Sequence, residues 1–149
     1  MEGMLLSRLM SLFRRSTDRS TDRASIGVYG EREAERLLKS QGFKVLARNW
    51  RKGRDEIDLV CMDEGILVFV ETRTRVTGAL VGGYDSIGER KKKALLRVCR
   101  AYVYELKGAA PRVRFDVVEV EHEEGRILES RHFENVPLFS KALSRGNEN

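Results

Sequence analysis

Two runs rich in Val, Ile, Leu and Phe, Glu56 to Met62 and Ile66 to Arg73, are separated by Asp63, Glu64 and Gly65. Apolar runs divided by a short polar turn predict a β-hairpin. A two-residue turn at Glu64-Gly65, with the glycine supplying a positive φ, sets the register. Asp63 then faces Ile66, Met62 faces Leu67, Val60 faces Phe69, Asp58 faces Glu71 and Glu56 faces Arg73. One face carries Ile57, Leu59, Cys61, Val68, Val70 and Thr72. The other is apolar beside the turn and carries Glu56, Asp58, Glu71 and Arg73 at its far end.

Around this hairpin the period changes. Gly27 to Gln41 lines up Gly30, Ala34, Leu37, Leu38 and Gln41 on one side, the spacing of a helix, and Gly42 ends it. Glu31 borders that stripe, at a place where the helix dipole also favours an acid. Phe43 to Trp50 reads as a short strand. A longer helix runs from Ser86, as N-cap with Glu89 completing a capping box, to about Leu106. Its buried stripe is Ala94, Leu95, Val98, Ala101 and Tyr102, and Lys91 continues the stripe toward the N-terminus, where a lysine needs a partner. Val113 to Val120 and Arg126 to Phe133 read as strands around an acidic turn, Glu121 to Gly125. The order α-β-β-β-α-β-β predicts an α/β fold, a sheet with helices on its two faces.

The predicted domain spans 26–139. Residues 1–25 read as a flexible basic leader: Met4 to Phe13 has apolar residues at helical spacing, then come Arg14, Arg15 and a polar tandem repeat. Charge after the apolar run does not suit a secretory signal. A flexible extension and a peripheral membrane or partner-binding helix both fit. Val76 to Asp85 is glycine-rich, matches no phosphate-cradling motif and reads as a mobile loop, suited to gating a site. The polar tail, 140–149, reads as disordered.

Composition adds the partner class. Of 149 residues, 41% are hydrophobic and 34% charged, which suits one soluble globular domain. The net charge of +5 favours a polyanionic partner, nucleic acid or anionic lipid. Cys61 and Cys99 show neither disulfide nor zinc spacing, so a reducing cytoplasm is the expected location. No run reaches transmembrane length. His122 and His132 read as surface residues. Lys44, Arg48, Arg51 and Lys52 surround Trp50 with no acid between Lys39 and Arg54. Such a stretch suits a phosphate backbone and an unstacked base, or a strand edge kept from aggregating by charge. Lys93, Arg97 and Arg100 form a second exposed basic row.

Asp58 opposite Glu71 is the anomaly of the pattern. Like charges about 5 Å apart across a sheet are unfavourable, and a bound divalent cation would remove the objection. A surface cluster with Arg73 neutralising Glu56 and Asp58 is the competing explanation.

Gly30 to Leu38 (GEREAERLL), Ala47 to Trp50 (ARNW), Glu56 to Val60 (EIDLV), Val68 to Arg75 (VFVETRTR), Lys91, and Arg114 to Val118 (RFDVV) carry a resemblance. In order and spacing these blocks resemble the YraN-type family of uncharacterised bacterial proteins. That family is a branch of the restriction-endonuclease-like PD-(D/E)XK nucleases, similar in core to archaeal Holliday-junction resolvases. The resemblance implies a mixed central sheet flanked by helices and an endonuclease-like activity on DNA, dependent on Mg²⁺ or Mn²⁺. It makes Asp58 and Glu71 the metal-binding acids, with a main-chain carbonyl near Thr72 as a further ligand. Glu31 matches the helix glutamate of such sites, and Lys91 a recurrent lysine. Arg73 stands where a catalytic lysine is usual, and Asp55 where a glycine usually precedes EID. An arginine cannot act as a base, but it can hold a phosphate and stabilise charge growing on it. Lys44, Arg48, Arg51, Lys52 and Arg97 would hold the backbone, DNA rather than RNA. A homodimer would supply the two sites that two cuts require. A catalytically silent nucleic-acid-binding protein of the same fold is the alternative.

Overall fold

The structure, a computed structural model, describes residues 23–78, 87–108 and 111–139. The readings of 1–22 as leader, of 79–85 as a mobile loop, of Ser86 as a helix cap and of 140–149 as a tail lie outside the described residues.

Helix α1 (23–40) takes in three residues assigned to the leader. It is followed by β1 (Lys44–Lys52), β2 (Asp55–Asp63), β3 (Ile66–Val76), helix α2 (Glu89–Glu105), β4 (Arg112–Glu123) and β5 (Arg126–Phe133). The strands form one sheet in the order β1-β2-β3-β4-β5. The β3–β4 pair, linked through α2, is parallel, and the other pairs are antiparallel. The expected α-β-β-β-α-β-β order and mixed sheet are present. Helix α2 begins after Gly88, an extended N-cap residue that makes no side-chain cap hydrogen bond.

Each helix covers one face. Ala34 and Leu38 of α1 pack with Leu59, Cys61, Val68, Val70, Val118 and Val120. Leu95, Val98 and Cys99 of α2 pack on the other face with Ile57, Val60, Leu67, Phe69 and Phe115. Cys61 and Cys99 are free and buried, on opposite sides of the sheet. No helix of the described residues is long and apolar enough to cross a membrane.

The hairpin turn has the predicted position, with Asp63 paired to Ile66 and Val60 to Phe69. Both turn residues, Glu64 (φ 47°) and Gly65 (φ 81°), adopt the left-handed conformation that matches the twist of the strands. Pairing stops at Leu59–Val70, one step short of Asp58 and Glu71, which are therefore not ladder partners. Ile57 is also displaced from its expected face. It packs beneath α2 with Val60, whereas Leu59 and Cys61 lie beneath α1. Strict alternation fails here because Asn49 of β1, between the partners of Leu59 and Ile57, has a φ of 47° and turns the ribbon locally.

The helix–sheet spacing under α1 is set at Gly30. A Cβ there would lie 2.2 Å from Thr74 Oγ1 on β3. Gly30→Ala should lower stability by about 1–3 kcal/mol, the usual result of overpacking. A urea titration checks it, and adding Thr74→Ala should restore most of the loss.

Neither histidine lies at the surface. His122 is 8% exposed, and the His132 side chain 5%. His132 sits between α1 and the sheet, its Nε2 2.8 Å from Asp116 Oδ2 and its Nδ1 2.6 Å from Gln41 Oε1. Its ring packs edge-on against Phe43. Asp116, fully buried, also accepts from Arg114 Nε and Nη2 and from the Asn135 amide. Buried polar groups need such partners, and this network ties the end of α1 to β4 and β5.

Candidate active site

The site lies where β2 and β3 part. Beyond Leu59–Val70 the ladder is replaced by a side chain: the Thr72 amide donates to Asp58 Oδ2 at 2.7 Å. Asp58 thus bridges the fork, and the sequence pattern contained no sign of Thr72 in this role. Glu71, the residue before Thr72, is 4% exposed. Its Oε1 lies 3.3 Å from Lys91 Nζ on α2, while its Oε2 is buried and has no hydrogen-bond partner. Lys91, placed by periodicity on the inward side of α2, has its head half in water and its charge on Glu71.

Electrostatics reflect the crowding. Burial and the adjacent Asp58 charge push the Glu71 carboxyl up to about 8, against the opposing pull of Lys91 and Arg73. Burial also raises Asp58, although the Thr72 amide and Lys91 act the other way. Glu31 on α1, half-buried, is raised by burial and by Asp58, and faces the Asn49 side chain. Two acids held together against such a penalty mark a place where a positive charge would be stabilised. Arg73, half-buried on β3, acts on Glu71 through its field.

Among the described residues no three His, Cys, Asp or Glu side chains form a ready-made metal cage. Asp58 and Glu71 provide two carboxylates, one with an orphaned oxygen. That suits Mg²⁺ or Mn²⁺, hard ions commonly bound through one or two carboxylates with water completing the shell.

The predicted phosphate grip on β1 is largely occupied by intramolecular pairs. Arg48 binds Glu35 of α1 through both Nε and Nη2, Arg51 pairs with Glu56, and Lys52 pairs with Glu105 of α2. Arg97 forks onto Asp55 at 2.8 and 2.9 Å. Lys44 is exposed. Trp50 is only partly buried, yet its ring packs edge-on against Tyr102 at 5.1 Å, in the cluster beneath α2.

Sheet order, helix placement and an acid pair at a strand fork define an α/β protein of the restriction-endonuclease-like class. The uncharacterised protein family UPF0102 matches residues 30–120. A UPF0102 protein of Lawsonia intracellularis is 36% identical over 122 residues, covering 82% of this chain and 92% of that one. One from Bordetella avium is 35% identical over 138 residues, 93% of this chain and 95% of that one. A third, from Mycolicibacterium gilvum, is 37% identical over 120 residues, 79% of this chain and 98% of that one. The chain belongs to the UPF0102 family, the YraN-type branch of the PD-(D/E)XK nuclease-like proteins. The relatives' names carry the family and no activity.

Proposed function

We propose that the protein is a metal-dependent endonuclease-like hydrolase acting on DNA phosphodiester bonds, with branched or otherwise structured DNA among its substrates. The observation that carries this reading is the fork. Asp58 is fixed by the Thr72 amide beside a buried Glu71 whose Oε2 is unpartnered, with Lys91 Nζ at 3.3 Å from Oε1. Asp58 and Glu71 would hold Mg²⁺ or Mn²⁺. The ion, when bound, would supply charge neutralisation at the phosphate and a more acidic water. Lys91 would neutralise Glu71 and place a cation at the edge of the site. Arg73, always charged, would grip the scissile phosphate and stabilise its growing charge. Glu31, with its raised pKa, would hold a water facing Asp58.

The test is cleavage by the purified chain with Mn²⁺, across linear, supercoiled and branched DNA. Loss of cutting with EDTA and in Asp58→Ala supports the reading. Equal cutting by Asp58→Ala sinks it. Arg73 in place of lysine favours a second reading, a DNA-binding protein that does not cut. Activity that appears only in Arg73→Lys would establish that alternative. Two cuts in one junction would call for two sites, which a homodimer provides.

A further inference from the structure

A cleft of about 410 Å³ opens between the β1–β2 turn and the first half of α2, lined by Arg54, Asp55, Arg90, Lys93, Ala94 and Arg97. Four cations meet one carboxylate there, and that carboxylate is already engaged. Arg97 clamps Asp55 through Nε and Nη2 and holds its carboxyl below the usual range. Arg54, Arg90 and Lys93 are exposed and, among the described residues, enter no ion pair.

The contrast with β1 decides where a polyanion would lie. Arg48, Arg51 and Lys52 each have an acid at hand. A phosphate contacting one of them must displace a carboxylate or share a cation that is already neutralised. Contact with Arg54, Arg90 or Lys93 only releases counterions, which is favourable.

The cleft also adjoins the fork. Asp55 and Asp58 share β2, about 10 Å apart along the strand. That equals roughly three nucleotides of rise along one strand of duplex DNA. On the helix side Arg90 neighbours Lys91, whose Nζ reaches Glu71.

We propose that this cleft is the phosphate subsite that carries the DNA backbone away from the Asp58–Glu71 fork, with Arg54, Arg90 and Lys93 contacting phosphates and the Asp55–Arg97 pair as its fixed wall. The proposal rests on the nuclease reading and replaces β1 with α2 as the main track. The test uses the full chain, a labelled DNA duplex and EDTA to prevent cutting. Two triple variants are compared, Arg54→Gln/Arg90→Gln/Lys93→Gln and Arg48→Gln/Arg51→Gln/Lys52→Gln. Each lowers the net charge equally, so the long-range field is matched. All six side chains are exposed, and an unchanged Tm confirms folding.

The cleft variant should bind at least about tenfold more weakly at about 100 mM salt, with the log Kd against log salt slope reduced by about 2–3. The β1 variant should bind within about twofold of wild type. An unchanged slope in the cleft variant, or a greater loss in the β1 variant, overturns the subsite. If the wild-type chain binds and cuts DNA and the cleft variant keeps its slope, only the subsite fails. If the wild-type chain neither binds nor cuts, the nuclease reading fails with it.

Discussion

Glu71→Gln should lower metal-dependent cleavage about a thousandfold and, in metal-free buffer at pH about 8, raise the Tm. The two effects come from one buried carboxyl. Loss of a carboxylate from a two-acid site removes about 4 kcal/mol of transition-state stabilisation, within the range for metal sites. The stability effect follows from proton linkage. Glu71 is held up to about 8 from an ordinary 4.5, chiefly by burial and then by Asp58. Between those values the folded chain binds more protons than the unfolded chain, so stability falls as the pH rises through the window. A glutamine amide has no such proton to lose, so the variant escapes the fall, and its advantage over the wild-type chain grows as the pH rises toward 8. Thermal melts across pH for both chains, with cleavage assayed in parallel, give the two readouts. Cleavage retained within about tenfold would remove Glu71 from the chemistry. Identical pH profiles of Tm would show that the buried carboxyl does not destabilise the fold near neutral pH.

Asp116→Ala should be the most destabilising single substitution among the polar residues, by about 3–5 kcal/mol, or about 10 °C in Tm. Burial pushes Asp116 up, but hydrogen bonds from His132, Arg114 and the Asn135 amide outweigh it and hold the carboxyl below the ordinary range. Its contribution is therefore present above pH about 4 and is lost as the pH falls below that value. Truncation would leave His132 Nε2 and the Asn135 amide without their acceptor, and would leave Arg114 paired with Asp63 at 3.1 Å. Glu129→Ala breaks an exposed pair with Arg131 and should cost under about 0.5 kcal/mol. Chemical denaturation of both variants measures the difference, and equal midpoints would contradict a stabilising role for the buried network.

The sequence carried the sheet because its strands are long, apolar and bounded by turn residues with one reading. Val68 to Val70 has no helical period, and Glu64-Gly65 admits a tight turn. Alternation also brought Asp58 and Glu71 near each other. It did not reveal that the ladder ends before them, since Asn49, on another strand, sets the local rotation and Thr72 gives its amide to a side chain. The histidines were misplaced for a related reason. His132 looks polar in a strand of mixed character, and only the return of Gln41 and Phe43 over β5 buries it. Basic residues on β1 were legible as charges, but their partners Glu35, Glu56 and Glu105 come from α1, β2 and α2. Charge counted along a chain does not show which cations remain available to a ligand.

Gly30 has a consequence for chemistry as well as packing. It precedes Glu31, and the strand it presses on carries Glu71 three residues before Thr74. The acids thus belong to two layers, and the gap between the layers is fixed by the side chain that Gly30 lacks. A single methyl inserted there acts as a shim, lifting Glu31 away from Asp58 while leaving Asp58, Glu71 and Thr72 in place within the sheet. The reach of the helix acid into the fork is a matter of tolerance, set by hydrogen and not by carbon.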